Sequence, residues 1–372
     1  MKTRVLIIGG YGNFGSYIAK ALATDENIQL VIAGRSLEKA QAFAHGLPGM
    51  RPSEAVALDI EGDLLSVLQT VKPAVVIHTT GPFQTQDYRV ALACIARGCH
   101  YIDLADARRF VCGIGALDAA AKERDVLILS GASSVPCLTA AIVDDYLPQF
   151  SVLQSLDYGI SAAQQTNRGL ATASAVLSYV GKPISTLKNG AWCNVFGWQD
   201  IYAIRYPSLG WRLFGNCEIP DLDLFPSRYP SLQNVRFAAG NEIKLLHLAT
   251  WALSWLVRGR LVGSLSQHAG MLLKMAFMFD WMGSAKSGFH MFLDGLGPDG
   301  RPLKRRFYII AKSGHGPYIP CMPAILLARK FALGQVAVRG ARPCLDLIDL
   351  KTYLAALKGL DISVVRSDTA DA

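Results

Sequence analysis

Charge is scarce in this chain. Of its 372 residues, 18% are Asp, Glu, Lys or Arg and 51% are hydrophobic, a balance that excludes a disordered chain and allows a large core. Basic residues number 37 against 29 acids, a net +8, yet no Lys/Arg block of nucleic-acid type occurs; the densest cluster, Lys304–Arg306, is short and leads into an expected strand. No nucleic acid is therefore expected as a partner. The surplus fits an anionic ligand such as a nucleotide phosphate, or a weak pull towards anionic lipid. The cysteines are Cys94, Cys99, Cys112, Cys137, Cys193, Cys217, Cys321 and Cys344. They form no C-x-x-C pair, and no histidine cluster joins them at zinc-ligand spacing, so neither a disulfide framework nor a metal site is expected. The greasiest stretch, Ile243–Met282, has Leu245–Val257 as its longest charge-free run, short of the roughly 20 residues that span a bilayer. Repeats and low-complexity segments are absent. The chain opens directly on the strand-like MKTRVLIIGG with no leader ahead of it, which together with free thiols points to a reducing, cytoplasmic setting.

What is there is first a rhythm. Short apolar runs at Arg4–Gly9, Gln29–Ala33, Ala55–Asp59, Ala74–Thr79, Tyr101–Leu104 and Val126–Ser130 alternate with helical stretches at Gly15–Thr24, Leu37–His45, Asp63–Thr70, Gln86–Arg97 and Ala107–Glu123. The runs are apolar throughout rather than alternating, as parallel strands buried on both faces must be. The predicted class is α/β, with a Rossmann-type doubly wound parallel sheet over 1–133. Past residue 133 the rhythm changes to helices, β-type runs and a Gly-Pro-Asp-Gly hairpin turn at 297–300. That predicts a second α+β domain with a mixed or antiparallel sheet over 134–320. Helices over 321–360 are expected to return to the first domain, and 361–372 to form a flexible tail.

The strongest local signal is VLIIGGYGNFGSYIAKAL. Gly10, Gly12 and Gly15 spell G-x-G-x-x-G between a strand and a helix: a tight turn, a close approach for a pyrophosphate, and room for helix–strand packing. Gly10, Gly12, Asn13, Phe14 and Gly15 would line the phosphates, with the helix N-terminus offering free N–H groups. Gly9, Gly12 and Gly15 also satisfy G-x-x-G-x-x-G, the short-chain dehydrogenase spacing. The Tyr-x-x-x-Lys pair those enzymes need falls here at Tyr308/Lys312, in an expected strand of the other domain, which argues against that mechanism. Where an NAD enzyme would place Asp or Glu after the second strand, this chain reads VIAGRSLEKA. Arg35, Ser36 and Lys39 thus favour the 2′-phosphate of NADP(H), the guanidinium gripping it or stacking on adenine. Asp59 would meet the adenine edge or cap a helix. The HTTGPF turn, with Thr80, Gly81, Pro82 and Phe83, would pass beside the ribose and nicotinamide.

Together these stretches resemble the saccharopine dehydrogenase-like oxidoreductases, the family of the saccharopine dehydrogenase NADP-binding domain. The likeness rests on GGYGNFGSYIAKALA, AGRSLEKAQAFA, VVIHTTGPFQTQDYRVALACIARGCHYIDLAD and LILSGASSVPCLTA, with GHGPYIPCMPAILLARKFALGQVAVRGARPC further on. Membership implies NADP(H), a Rossmann domain, and a second domain that shapes the substrate pocket and often a dimer contact. The likeness thins over 150–310, so the saccharopine reaction itself is not carried over. The expected function is NADP(H)-dependent hydride transfer to or from a C=O, C=N or C=C group of a small-molecule substrate, an apolar one among the alternatives. The alternative is a non-catalytic NADP(H)-binding scaffold or membrane-surface protein.

For the accompanying proton, the carboxyl ends of the strands offer His78, Asp103 and Asp106, and the SGHGPYIP loop offers His315 and Tyr318. Each has a structural reading beside the chemical one. Cys137 reads better as a buried, inert thiol than as a nucleophile. Within Ile243–Met282, Met271, Met275, Met278 and Met282 share one helical face, and Leu248, Trp251 and Trp255 form another stripe. Three readings stay open: core or homodimer interface, lining for an apolar substrate, or peripheral contact with a membrane.

Overall fold

The computed structural model describes residues 2–49, 52–166 and 169–367. The chain divides into two compact units, Met1–Leu138 with Pro317–Ala356, and Thr139–Gly316 with Leu357–Ala372. The crossings thus fall at 138/139, 316/317 and 356/357, where the sequence places its divisions at 133/134, 320/321 and 360/361.

The first unit opens with β1 (Thr3–Ile8), α1 (Asn13–Leu22), β2 (Ile28–Gly34), α2 (Leu37–His45), β3 (Glu54–Ala57), α3 (Leu64–Val71), β4 (Val75–His78), α4 (Arg89–Arg97) and β5 (His100–Asp103). Then come α5 (Arg108–Gly113), α6 (Asp118–Glu123) and β6 (Leu127–Ser130). The single helix expected over Ala107–Glu123 is two, separated by a 3-10 turn at Ile114–Leu117, where Gly113 and Gly115 lower helix propensity. Val5, Leu6, Ile7, Val75, Val76, Ile77 and Leu127–Leu129 have no exposed surface, which is why these strands lack a polar face.

The second unit continues with α7 (Thr139–Tyr146), β7 (Val152–Ala162), α8 (Leu170–Ser178), β8 (Pro183–Lys188), β9 (Ala191–Phe196), β10 (Tyr202–Tyr206) and β11 (Gly210–Asn216). After α9 (Asp221–Arg228) and β12 (Asn234–Asn241) come α10 (Lys244–Arg258), α11 (Ala269–Phe277), β13 (Ser287–Leu296) and β14 (Pro302–Ala311). The turn between β8 and β9 is Asn189-Gly190 with φ of 51° and 74°, the pair that a two-residue hairpin favours. Gly297–Arg301 closes the β13–β14 hairpin as the sequence predicts, with Gly297 N–H on the Arg301 carbonyl at 2.8 Å.

Back in the first unit, α12 (Tyr318–Ala332), β15 (Gly340–Pro343) and α13 (Leu350–Ala356) follow. β15 pairs parallel with β6, so the first sheet has seven strands in the order β15-β6-β5-β4-β1-β2-β3. α12 runs beside α1: Arg329 donates to the Ala21 carbonyl at 2.9 Å and Cys321 to that of Phe14 at 3.6 Å. The chain ends in the second unit with β16 (Ile362–Ser367), which pairs antiparallel with β14. Residues 362–367 are therefore not the flexible tail expected of them, because the open edge of β14 supplies a ladder; 368–372 lie outside the described residues. The second sheet is mixed, ordered β10-β11-β12-β7-β13-β14-β16, with β7 and β12 parallel and its other neighbours antiparallel.

Candidate functional site: a glycine turn at the carboxyl edge of the parallel sheet

The turn after β1 is built around one carbonyl. Gly9 has φ +78°, a conformation L side chains rarely adopt, and its oxygen accepts the Gly12 N–H at 2.8 Å. A Cβ on Gly15 would stand 2.1 Å from that oxygen, and one on Gly12 3.0 Å from it. The tight turn is thus made by Gly9, not by Gly10 as the first reading of the motif has it. At Gly10 a Cβ would meet Ile32 and the Ile7 carbonyl at 3.0 Å. Gly12 caps α1 without a side-chain hydrogen bond, and the first turn of α1 contains no acidic residue. Asn13, Phe14 and Gly15 therefore begin a helix with no acidic side chain in its first turn, which suits an anionic group.

A second turn braces the first. Thr79 Oγ1 donates to the Ile8 carbonyl at 2.9 Å and lies 3.3 Å from that of Gly9. Gln86 Nε2 donates to the carbonyls of Thr80 (2.6 Å) and Pro82 (3.2 Å), holding the Thr80-Gly81-Pro82 bend closed. The Phe83 ring lies in the core, with its centroid 5.0 Å from that of His78 and 5.3 Å from that of Phe110. Any ligand contact at 83 falls to the backbone.

At the end of β2, Arg35 is exposed and has neither ion pair nor hydrogen bond among the described residues. Ser36 caps α2, its Oγ accepting the Lys39 N–H at 3.2 Å. The sequence reading missed Tyr11, whose hydroxyl accepts the Ser36 N–H at 3.2 Å. A Cβ on Gly34 would come within 2.4 Å of the Tyr11 ring, so glycine at 34 lets that ring lie against the end of β2. Asp59, exposed just past β3, accepts the Glu61 N–H at 3.1 Å in a local turn; the cap of α3 is Asp63.

The proton-transfer candidates separate. His78 is buried, its Nδ1 is 3.0 Å from the Tyr101 hydroxyl, and burial lowers its pKa to about 3. It is a neutral core residue, which corrects its place among the acid/base candidates. Asp103 Oδ1 accepts from the N–H groups of Ala105 and Gly131 and from Ser130 Oγ at 2.8–3.0 Å; it ties β5 to the loop after β6, and burial raises its pKa to about 6. Asp106 accepts from Gln84 Nε2 at 3.2 Å, and burial raises its pKa as well. Tyr318 begins α12 with its ring edge-on to Tyr17 at 4.4 Å. His315 belongs to the second unit, where its Nδ1 accepts the Asp361 N–H at 2.7 Å. The Cys137 thiol is buried, and its hydrogen bond with Cys344 pushes its pKa well up, so it is inert. Tyr17 and Cys321 escaped the sequence reading, because only the packing of α12 on α1 reveals them.

The second unit has a cavity of about 300 Å3, lined in part by Asp157, Thr186, Lys188, Asp200, Asn216 and Arg236. Arg236 pairs with Asp157 and stacks 3.7 Å over the Tyr202 ring. None of its lining residues comes from Ile243–Met282, so the apolar segment does not line it.

A parallel sheet in this order, with a glycine turn leading into a helix at its carboxyl edge, is the architecture of a dinucleotide-binding domain. Residues 5–129 match the family model of the saccharopine dehydrogenase NADP binding domain. The match covers about a third of the chain, the part that carries the glycine turn, and the cofactor of this domain is NADP(H). No curated protein matches the chain significantly. Among solved structures, the chain is similar to apo saccharopine dehydrogenase (L-Glu forming) from Saccharomyces cerevisiae, at 14% identity and a TM-score of 0.66 over 98% of this chain and 100% of that one. It is also similar to an amine dehydrogenase from Mycobacterium smegmatis, at 11% identity and a TM-score of 0.48 over 93% and 96%. The first of these likenesses shows the fold; the second carries no further argument.

Proposed function

We propose that the protein transfers hydride between NADP(H) and a C=O, C=N or C=C group of a small organic substrate. When bound, NADPH supplies the hydride. The protein's own part is to hold and orient. In this reading the backbone at Gly10, Gly12, Asn13, Phe14 and Gly15 takes the pyrophosphate. Arg35, with Ser36, Lys39 and the N-terminus of α2, takes the 2′-phosphate. Asp59 and the turn Thr80-Gly81-Pro82-Phe83 border the remaining adenosine and nicotinamide. Asp106 is the proton donor or acceptor we favour within this unit: it follows β5 at the ligand edge of the sheet, and a carboxyl with raised pKa is suited to general acid–base work.

The observation that carries the reading is Arg35, an exposed guanidinium without a partner among the described residues at the end of β2, where NAD enzymes place a carboxylate. Fluorescence titration with NADPH and NADH tests it. Arg35→Asp is expected to weaken NADPH binding by about 30-fold or more, the worth of a charge-assisted bidentate contact, and NADH binding little. Equal weakening of both removes Arg35 from the 2′-phosphate, and failure of the unaltered protein to bind NADPH at micromolar concentration ends the proposal. Asp106→Asn should lower kcat by about 100-fold or more with NADPH affinity kept; an unchanged kcat frees Asp106 from the role.

A further inference from the structure

α10 is built inside out. Its fully buried residues are His247 and Ser254, while Leu245, Leu248, Trp255 and Leu256 are 40–57% exposed. A helix belonging to a water-soluble surface shows the opposite arrangement. The residues after it continue the pattern. Leu261 is 77% exposed, Met278 72% and Trp281 80%, with Met271, Met275 and Met282 about half exposed. Of α11, only Ala269 is buried. Leu170 of α8, 57% exposed, adjoins this surface: its Cδ1 is 3.9 Å from where a Cβ on Gly270 would stand. The core reading of the methionine face is thereby overturned, and an apolar surface of this kind marks an interaction site.

The charges beside it have one sign. From Ile243 to Phe279 there is no acidic residue, whereas Lys244, Arg258, Arg260 and Lys274 are all exposed. Asp280, next along the chain, is only partly exposed and accepts from Gln164 Nε2 at 2.8 Å. Arg258 lies 5.0 Å from the centroid of the Trp255 ring and donates to Gln199, not to a carboxylate. No helix among the described residues is long and apolar enough to cross a membrane.

We infer that the segment from α10 through Met282 docks on an anionic lipid surface, with its leucine, methionine and tryptophan side chains in the interface and its cations at the headgroups. A second copy of the chain fits less well. A twofold contact sets a patch against itself, and the segment Ile243–Phe279, which carries Arg258, Arg260 and Lys274, has no acidic residue of its own to set against those cations in the other copy.

Co-sedimentation of the full chain with vesicles of phosphatidylcholine, or of phosphatidylcholine and phosphatidylglycerol in equal parts, tests this. Binding to the anionic vesicles is expected, with at least about tenfold weaker binding to neutral ones or in high salt. Met278→Glu with Trp281→Glu should abolish binding while leaving the thermal transition in place, since both side chains are exposed. Arg260→Glu with Lys274→Glu should remove the preference for anionic lipid, and decides the matter should the first pair impair folding. The inference is overturned by absence of binding to either vesicle at low salt, or by equal binding to both. It is also overturned by a concentration-dependent dimer in analytical ultracentrifugation that either double variant disrupts, which would make a second copy the occupant.

Discussion

The first unit buries what its sequence leads one to bury, and the second does not. In α1 the buried positions are Gly15, Ile18, Ala19 and Leu22, an apolar stripe at helical spacing. In α10 the buried positions are His247 and Ser254. The same difference runs through the sheets. The first is filled mainly by Val, Ile and Leu, with Tyr101 inside β5 and His78 and Asp103 at strand ends. The second contains His290, fully buried and 2.6 Å from the Tyr206 hydroxyl, while Asp221, at the start of α9 and hydrogen-bonded to Tyr158 of β7, has no exposed surface. The contrast teaches that a hydrophobic period fixes an element's type but not which of its faces is covered.

The largest expected effect concerns Asp221 of the second unit, whose pKa is raised further than that of Asp103 in the first. Its Oδ2 accepts from Thr139 Oγ1 at 2.6 Å and from the Tyr158 hydroxyl at 3.2 Å, and burial lifts its pKa from the ordinary 3.8 to about 7. The native state therefore holds a proton that the unfolded chain has already released between pH 4 and 7. The contribution of this one group to stability falls as pH rises through that window and is fully present below it; Asp103 acts in the same direction, and the buried, neutral His78, His247 and His290 act in the opposite one. At ~1.4 kcal/mol per pH unit the loss is at most on the order of 4 kcal/mol. Asp221→Asn should remove this contribution, so that the variant gains stability relative to the parent as pH rises from 4 to 7. Denaturant melts in which the difference between variant and parent stays constant from pH 4 to 7 would show that Asp221 does not carry it.

In the first unit the corresponding test is steric. Gly15→Val places a Cβ 2.1 Å from the Gly9 oxygen, and because both atoms belong to a packed turn, neither can yield cheaply. The expected cost is about 3 kcal/mol of stability, with NADPH binding lost together with the turn. A variant that melts and binds like the parent would show that the turn tolerates a side chain, contrary to its geometry.

Most of the first unit was legible because each of its parts is local: strand, glycine turn and helix follow one another within the chain. What escaped depends on partners far away. β15 reads Gly-Ala-Arg-Pro, too short and too broken to signal a strand, and exists because β6, about 210 residues earlier, offers it a parallel edge. β16 reads as a tail until β14 presents its own edge. α9 contains Pro226 and lies in a Gly- and Pro-rich stretch, so propensity argued against it. In the site, Arg35 and the glycines were visible because residue type alone carries their chemistry. Tyr11 was not, because its role depends on Gly34 leaving room for its ring. His78 stayed open between a chemical and a core reading because its position at the end of β4 suits both, and its burial favours the core one.

The smallest effect is the most direct comparison of the two helices. Leu22 on α1 has no exposed surface, and Leu245 on α10 is 57% exposed. Truncating a buried leucine removes contacts and leaves a cavity, so Leu22→Ala should cost about 3 kcal/mol. Leu245→Ala removes a side chain that water already reaches, and should change stability by less than about 0.5 kcal/mol. Thermal or denaturant melts of the two variants at several protein concentrations read the difference. A large, concentration-dependent loss for Leu245→Ala would mean that something covers the outer face of α10 in solution. The covering partner would then be another copy of the protein, and α10 would bury leucines as α1 does, only across a subunit boundary.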